Sequence, residues 1–173
     1  AGVLVATGNT FSNFSGNSNV AATIISSGIL ATSTSTTAGN LISRNTIHSL
    51  SNNSGAVSNS IYALYCSFPA TTANVVERNF VHSLSITSTA LTSQMVGILP
   101  VAGAGTYKNN MVRLGVDAAG ASISTGYTIY GMFEIAGVNS TIHNSVYIGG
   151  TAVSGTSNTF GFVSNVTSGT RRY

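Results

Sequence analysis

The residues of this chain that could carry chemistry recur at fixed spacings. His48 and His82 lie 34 residues apart, and Arg44 and Arg78 have the same spacing. Two histidines can contribute to a metal or ligand site, but without a neighbouring carboxylate or cysteine they make an incomplete one. Two further positions share the histidine register, so the predicted outer-face binding stripe has four members: His48, His82, Arg113 and Tyr147.

Both pairs also have a purely structural interpretation. The histidine stripe could be the solvated outer face of a strand and bind nothing. Arg44 and Arg78, which are continued in register by Asn109 and His143, could attract anionic glycans or polymers, or could simply face solvent.

Catalytic groups are scarce in this sequence. Its three acidic residues, Glu77, Asp117 and Glu134, fall at different positions of the repeat described below, which argues against a paired-carboxylate site or a calcium cage. No carboxylate is in register to orient a Ser-His pair. Cys66 is the single cysteine and lies in an apolar run, where a buried, inert thiol is expected. We therefore expect no catalytic residue, no cofactor and no metal, and predict a protein that is not an enzyme.

Composition narrows the function classes further. Only 5% of the 173 residues are charged, whereas a typical soluble protein has about 25%. Polar groups must therefore be satisfied mainly by serine, threonine, asparagine and the backbone. The net charge of +3 comes from basic residues that are scattered except at Arg171 and Arg172, which argues against a nucleic-acid partner. The apolar clusters are too short for a membrane span of roughly 18 to 20 residues.

An internal repeat organises the chain. Residues 40–50 return as residues 74–84 at a spacing of 34. Weaker copies extend this landmark to a predicted asparagine ladder: Asn9, Asn45, Asn79, Asn110 and Asn144. A second landmark is a column of small residues among apolar ones: Gly28, Ala63, Gly97, Gly131 and Gly161. Two independent landmarks that stay in step indicate a repeat architecture.

Each repeat has the features of short strands and turns. β-Branched and aromatic residues surround the landmarks, and Gly, Asn and Ser between them favour turns. Sustained helical spacing of apolar residues is absent. An all-β unit of about 34 residues fits one coil of a parallel β-helix better than a propeller blade, whose signatures are missing. We predict a single β-helix domain over residues 1–173 with about five coils.

Stacking of the coils assigns a role to each column. Equivalent residues of consecutive coils lie one strand spacing apart, about 4.8 Å. Asparagines at a turn can then hydrogen-bond from coil to coil, and small residues mark a place with little space. One inward apolar stack is predicted: Phe11, Ile47, Val81, Val112 and Val146. After each small residue, the residues that would point to either face of the strand are apolar. The sequence therefore does not decide which face of that strand is buried.

Part of the chain resembles a known group of repeats. The stretches 126–131, 144–150, 154–160 and 164–170 look like repeat arrays in large secreted surface proteins of bacteria that use the type IX secretion route. The likeness is clearest over residues 103–173. It implies a right-handed parallel β-helix, part of a longer array, and an extracellular or cell-surface location. It supplies no catalytic motif.

These features predict a structural or adhesive module of an extracellular protein. Because open strand edges template further strands, the module is expected to associate end to end into a filament. The alternative is a carbohydrate-binding surface built from loops at 51–60, 85–94 and 117–125. Tyrosines could add a sugar-stacking platform or could pack between coils: Tyr62, Tyr65, Tyr127, Tyr130 and Tyr147. A third alternative is a degenerate polysaccharide lyase or hydrolase.

Overall fold

The structure, a computed structural model, is built from short β-strands. It describes residues 3–17, 23–36, 39–54, 58–70, 73–88, 90–124, 126–150 and 158–173, and within them it contains no helix, and so none that could span a membrane. In chain order the strands are β1 (Val5–Thr7), β2 (Thr10–Ser12), β3 (Ser15–Gly16), β4 (Thr23–Thr32), β5 (Leu41–Ser43), β6 (Thr46–His48), β7 (Ser51–Asn52), β8 (Ser58–Ser67), β9 (Asn74–Glu77), β10 (Phe80–His82), β11 (Ser85–Ile86), β12 (Gln94–Ala102), β13 (Gly105–Lys108), β14 (Met111–Leu114), β15 (Thr128–Glu134), β16 (Ser140–Ile142), β17 (Ser145–Ile148) and β18 (Thr159–Ser164).

The strands form four sheets in which every neighbouring pair is parallel. Sheet A has the order β1-β5-β9-β13-β16, sheet B β2-β6-β10-β14-β17, sheet C β3-β7-β11, and sheet D β4-β8-β12-β15-β18. The chain visits the sheets in turn and then returns to sheet A one coil further on. This is the predicted all-β fold, a parallel β-helix.

The repeat length agrees with the sequence, and the number of turns is slightly smaller than expected. One turn takes about 34 residues, and the described strands complete about 4 turns, where about five coils were predicted. The reason is geometric, because the five stacked strands of sheets A, B and D enclose only four complete circuits.

The predicted inward stack lies in sheet B. Phe11 pairs with Ile47, and the register continues through Val81 and Val112 to Val146. The three central side chains are completely buried, and the two outer ones pack against the same core. The stack is therefore confirmed.

Sheet D turns two consecutive residues of each central strand inward. Ala63 and Leu64 are both fully buried in the core, whereas Tyr62 and Tyr65 on either side are only partly buried and lie outside it. The strand therefore bends at the small residue instead of alternating strictly. This bend decides the buried face that the sequence left open.

The small-residue column is short of space because it faces sheet B. A Cβ atom on Gly97 would lie 2.5 Å from Cγ1 of Val112 and 2.6 Å from the carbonyl oxygen of Gly131. At Gly161, in the outermost strand, a Cβ atom would meet nothing within 4 Å. The restriction therefore applies at the glycines inside the stack and not at Gly161, while Ala63 shows that the second coil accommodates a methyl group.

Candidate functional site

The landmark asparagines form one hydrogen-bonded column at the corner between sheets A and B. At each step, the side-chain Oδ1 accepts the backbone N–H and the Nδ2–H of the asparagine one coil earlier, at 2.9–3.1 Å. From Asn45 onward, each Nδ2 also donates to a carbonyl across the corner, at 2.8–3.0 Å. Only a side chain with both an acceptor and two donors makes this set of bonds, which explains why the position is asparagine.

The residue before each ladder asparagine has a left-handed backbone, with φ between 54° and 67°: Gly8, Arg44, Arg78, Asn109 and His143. For the residues other than glycine this conformation costs roughly 1 kcal/mol each. The ladder hydrogen bonds offset that cost and hold the corner. As a result the side chains of Arg44, Arg78 and His143 are exposed at the corner.

A second asparagine column, which the sequence analysis missed, lies at the start of sheet A. Oδ1 of Asn40 accepts the backbone N–H of Leu4 at 2.9 Å, and Oδ1 of Asn74 accepts the N–H and Nδ2–H of Asn40 at 3.1 and 2.7 Å. Gly105 interrupts the column in the next coil, and Asn139 resumes it. The signal was present in the sequence, because Asn40 and Asn74 open the two copies of the repeat at a spacing of 34 residues.

The residues of the predicted binding stripe share one outward column of sheet B. His48 pairs with His82, His82 with Arg113, and Arg113 with Tyr147. The two imidazole rings are stacked, with centroids 4.8 Å apart and planes within 1° of parallel. The Nδ1 atom of each ring lies 2.9 Å from Oγ of the following serine, Ser49 or Ser83 in turn, which fixes the ring orientation.

This geometry does not suit a shared metal ion. The nitrogen lone pairs of an imidazole lie in the ring plane, so two parallel rings 4.8 Å apart cannot both point at one ion about 2.0–2.1 Å from each nitrogen. Within the described ranges, no group of three His, Cys, Asp or Glu side chains could hold a metal. Burial lowers the pKa of His82 below its ordinary value, and the neighbouring His48 and Arg113 lower it further.

The three carboxylates lie in different parts of the solenoid. Glu77 forms an ion pair with Lys108 at 3.3 Å on the outer side of sheet A. Asp117 accepts the N–H groups of Ala119 and Ala121 at 2.9 Å within a turn. Glu134 is completely buried in sheet D. These three residues therefore do not form an acid-base pair with one another.

Glu134 instead joins the last described segment to the core. Its Oε1 accepts a hydrogen bond from Nδ2 of Asn139 at 2.8 Å, and its Oε2 accepts bonds from Ser164 at 2.6 Å and from the Tyr173 hydroxyl at 3.2 Å. The ring of Tyr173 also packs on Phe162. A buried carboxylate with three donors has a structural role here.

Cys66 is buried in the core, as the sequence predicted. Burial raises the pKa of its thiol to about 12, and the nearby Tyr107 hydroxyl opposes this only in part. Since the thiolate is the nucleophilic form, this side chain is unreactive in the folded protein at neutral pH.

The prediction of projecting loops needs correction. The segment at 51–60 begins with β7 and ends inside β8, and the segment at 85–94 begins with β11 and ends at the first residue of β12. Residues 51–52, 58–60, 85–86 and 94 pair with their equivalents one coil away and lie on the solenoid wall. Residues 90–93 instead form a turn with Leu91 exposed, and the described residues 117–124 form a loop in which residues 118–122 are exposed. Residues 55–57, 89 and 125 of the three predicted loops lie outside the described residues.

The tyrosines proposed as one sugar platform are divided among three places. Tyr127 is buried in the core, and Tyr147 is 60% exposed on sheet B. The other three lie on the outer side of sheet D, where they join two phenylalanines in what we call the aromatic face: Tyr62, Tyr65, Tyr130, Phe133 and Phe160.

Ring contacts divide the aromatic face into two groups, with Tyr62 and Tyr65 on one side of β12 and the three other rings on the other side. The Tyr130 ring stacks on Phe133 and on Phe160, with centroids 4.6 and 5.3 Å apart. Val96 and Leu99 occupy the central strand of this face and are 0% and 2% exposed, although they point away from the core cluster. Aromatic side chains on both neighbouring coils cover them. The face is therefore a packed outer layer with ring edges open to solvent.

The fold and these faces define the chain as a β-solenoid repeat protein. No protein-family model matches the sequence, and neither curated proteins nor solved structures show significant similarity to it.

Proposed function

We propose that the chain is a structural or adhesive module of an extracellular or cell-surface protein. The asparagine ladder carries this proposal. Its hydrogen bonds connect every described coil to the next, which suits a stiff structural element. The extracellular location is supported by the resemblance to repeats of secreted bacterial surface proteins. Turnover of uronic-acid polymers by the purified chain would overturn the non-enzymatic assignment and favour the degenerate lyase or hydrolase.

End-to-end association into a filament is part of this proposal. In the described part of the chain, the outermost strands β1 and β18 have a neighbour on one side only, and such an edge can pair with another strand. The backbone groups of Leu4 and the N–H of Gly8 bond to the next coil. Backbone groups of successive residues in a strand point to opposite sides, so the N–H of Val5 faces the open edge.

A proline at Val5 tests the association. We expect sedimentation velocity of the wild-type chain to show species that grow with concentration. The Val5→Pro variant is expected to shift them towards monomer, because proline removes the N–H at the edge. Val5→Thr, which keeps this N–H, is the matched control. A wild-type chain that stays monomeric at every concentration would contradict the proposal.

A second candidate function is carbohydrate binding, and the aromatic face favours it. Its half-buried rings can contact the apolar faces of sugars, and its tyrosine hydroxyls can hydrogen-bond sugar hydroxyls. The proposed ligand is a neutral oligosaccharide, because the aromatic columns of this face contain no charged side chain.

Isothermal titration with neutral oligosaccharides tests the aromatic face. Replacing Tyr130 with alanine should weaken binding about fivefold, since one aromatic contact contributes about 1 kcal/mol. Tyr147→Ala removes an exposed tyrosine from sheet B instead and should leave the affinity unchanged. An absence of saturable binding by the wild-type chain would remove this candidate.

A further inference from the structure

Sheet B and its corner with sheet A carry a concentration of cationic and imidazole side chains. In each coil three alternate residues point outward there, for example Arg44, Thr46 and His48. Over four coils these positions include three arginines, which carry the fixed positive charges, and three histidines, and we call the six together the cationic face: Arg44, His48, Arg78, His82, Arg113 and His143.

The cationic face is not neutralised by the protein itself. Glu77 is paired with Lys108 on sheet A, Asp117 caps its own turn, and Glu134 is buried. Among the described residues, no carboxylate lies within ion-pair distance of Arg44, Arg78 or Arg113, and all three arginines are exposed. A polyanion is the complementary partner for such a surface.

A trough lined with hydroxyl groups runs along the coils beside this face. It has a volume of about 290 Å³, and five serines of three successive coils line it beside Asn13, Phe14 and Ala118: Ser15, Ser49, Ser51, Ser83 and Ser85. Ser49 and Ser83 also hold His48 and His82 in their parallel orientation. The histidines and the trough therefore form one continuous surface.

We infer that the cationic face and the serine trough together bind a linear acidic polysaccharide that carries carboxylate or sulfate groups. Such a chain presents an anionic group at regular intervals for the cations and several hydroxyls for the trough. The basic side chains of neighbouring coils lie in a straight line along the solenoid axis, about 4.8 Å apart from one coil to the next. The phosphates of duplex DNA instead follow a helical path with about 3.4 Å per step on each strand. The inference goes beyond the proposed function, because it holds even if the module never self-associates.

The test uses four polymers with the purified chain at low ionic strength. Polygalacturonate supplies carboxylates, dextran sulfate supplies sulfates, unmodified dextran is the neutral reference, and single-stranded DNA represents nucleic acid. We expect saturable binding of at least one acidic polysaccharide that weakens with added salt, and weaker binding of dextran that does not depend on salt.

Arg78→Asn is the informative variant. Asparagine occupies the same left-handed position one coil further on, at Asn109, so the fold should persist, and a thermal melt followed by circular dichroism checks this. We expect an affinity for the acidic polysaccharide about threefold to fivefold lower, and a larger loss for the double variant with Arg44→Asn. Arg172→Asn removes the same charge beside Ser140 of sheet A, outside the six residues of the face, and should lower the affinity less.

Three outcomes would overturn the inference. The first is binding of the acidic polymers no tighter than that of dextran. The second is an equal loss in Arg78→Asn and Arg172→Asn, which would mean that net charge alone governs binding. The third is tighter binding of single-stranded DNA than of either acidic polysaccharide, which would assign the face to nucleic acid.

Discussion

Replacing Asn79 with alanine is expected to lower the free energy of unfolding by about 3 kcal/mol. The side chain is 1% exposed and lies in the middle of the ladder. Its loss leaves the buried N–H of Asn45 without the acceptor at 3.0 Å and the carbonyl of Ile42 without the donor at 3.0 Å. Water cannot easily replace these partners inside the corner, so each lost bond costs close to its full desolvation energy. Urea denaturation followed by circular dichroism measures the change.

Asn9 provides the matched control for this substitution. It has the same place in the repeat but lies in the first described coil and is exposed, and its side chain makes one ladder bond, to Oδ1 of Asn45 at 3.1 Å. Asn9→Ala should therefore cost less than about 1 kcal/mol. Equal losses in the two variants would mean that the ladder hydrogen bonds do not stabilise the solenoid.

Replacing Gly97 with alanine is expected to lower the free energy of unfolding by about 2 kcal/mol. The added Cβ atom would lie 2.5 Å from Val112 Cγ1 and 2.6 Å from the carbonyl oxygen of Gly131. The valine can adjust, but the carbonyl belongs to the neighbouring coil and is held in the sheet. The coils must therefore separate locally, and the same denaturation measurement detects the loss.

Gly161 is the control for Gly97, and the expected change has the opposite sign. It belongs to the same column but has no atom within 4 Å of an added Cβ. Gly161→Ala should leave stability unchanged or raise it by about 0.5 kcal/mol, because alanine restricts the unfolded chain. A loss at Gly161 as large as that at Gly97 would show that close packing against sheet B is not the cause.

The repeat made the fold and several residue contacts predictable. In a β-helix, equivalent residues of consecutive coils become spatial neighbours, so a spacing of 34 residues translates directly into strand pairing. The contact between Asn45 and Asn79 and the stacking of His48 on His82 could be deduced from that spacing alone. No equivalent shortcut exists for a protein without a repeat.

Other features depended on contacts that local sequence does not encode. Ser51–Asn52 and Ser85–Ile86 are two-residue strands, too short and too polar to stand out from a loop, and they are strands because the neighbouring coil pairs with them. Val96 and Leu99 are on the strand whose buried face the sequence left undecided, and they are buried outside the core cluster, on the side of the aromatic face.

By itself, the sequence determined the all-β class, the length of the repeat and the columns in which like residues stack, because each of these follows from periodicity. The tertiary structure alone decided which side of sheet D faces the core. Both sets of alternate residues along its strands are apolar, so the sequence cannot distinguish them until another sheet covers one set. It also decided that, within the described part of the chain, Arg44, Arg78 and Arg113 have no carboxylate partner, whereas Lys108 pairs with Glu77. Whether an acid lies near a basic residue depends on where the coils place the three acidic residues, and the local sequence around the basic residues does not show this.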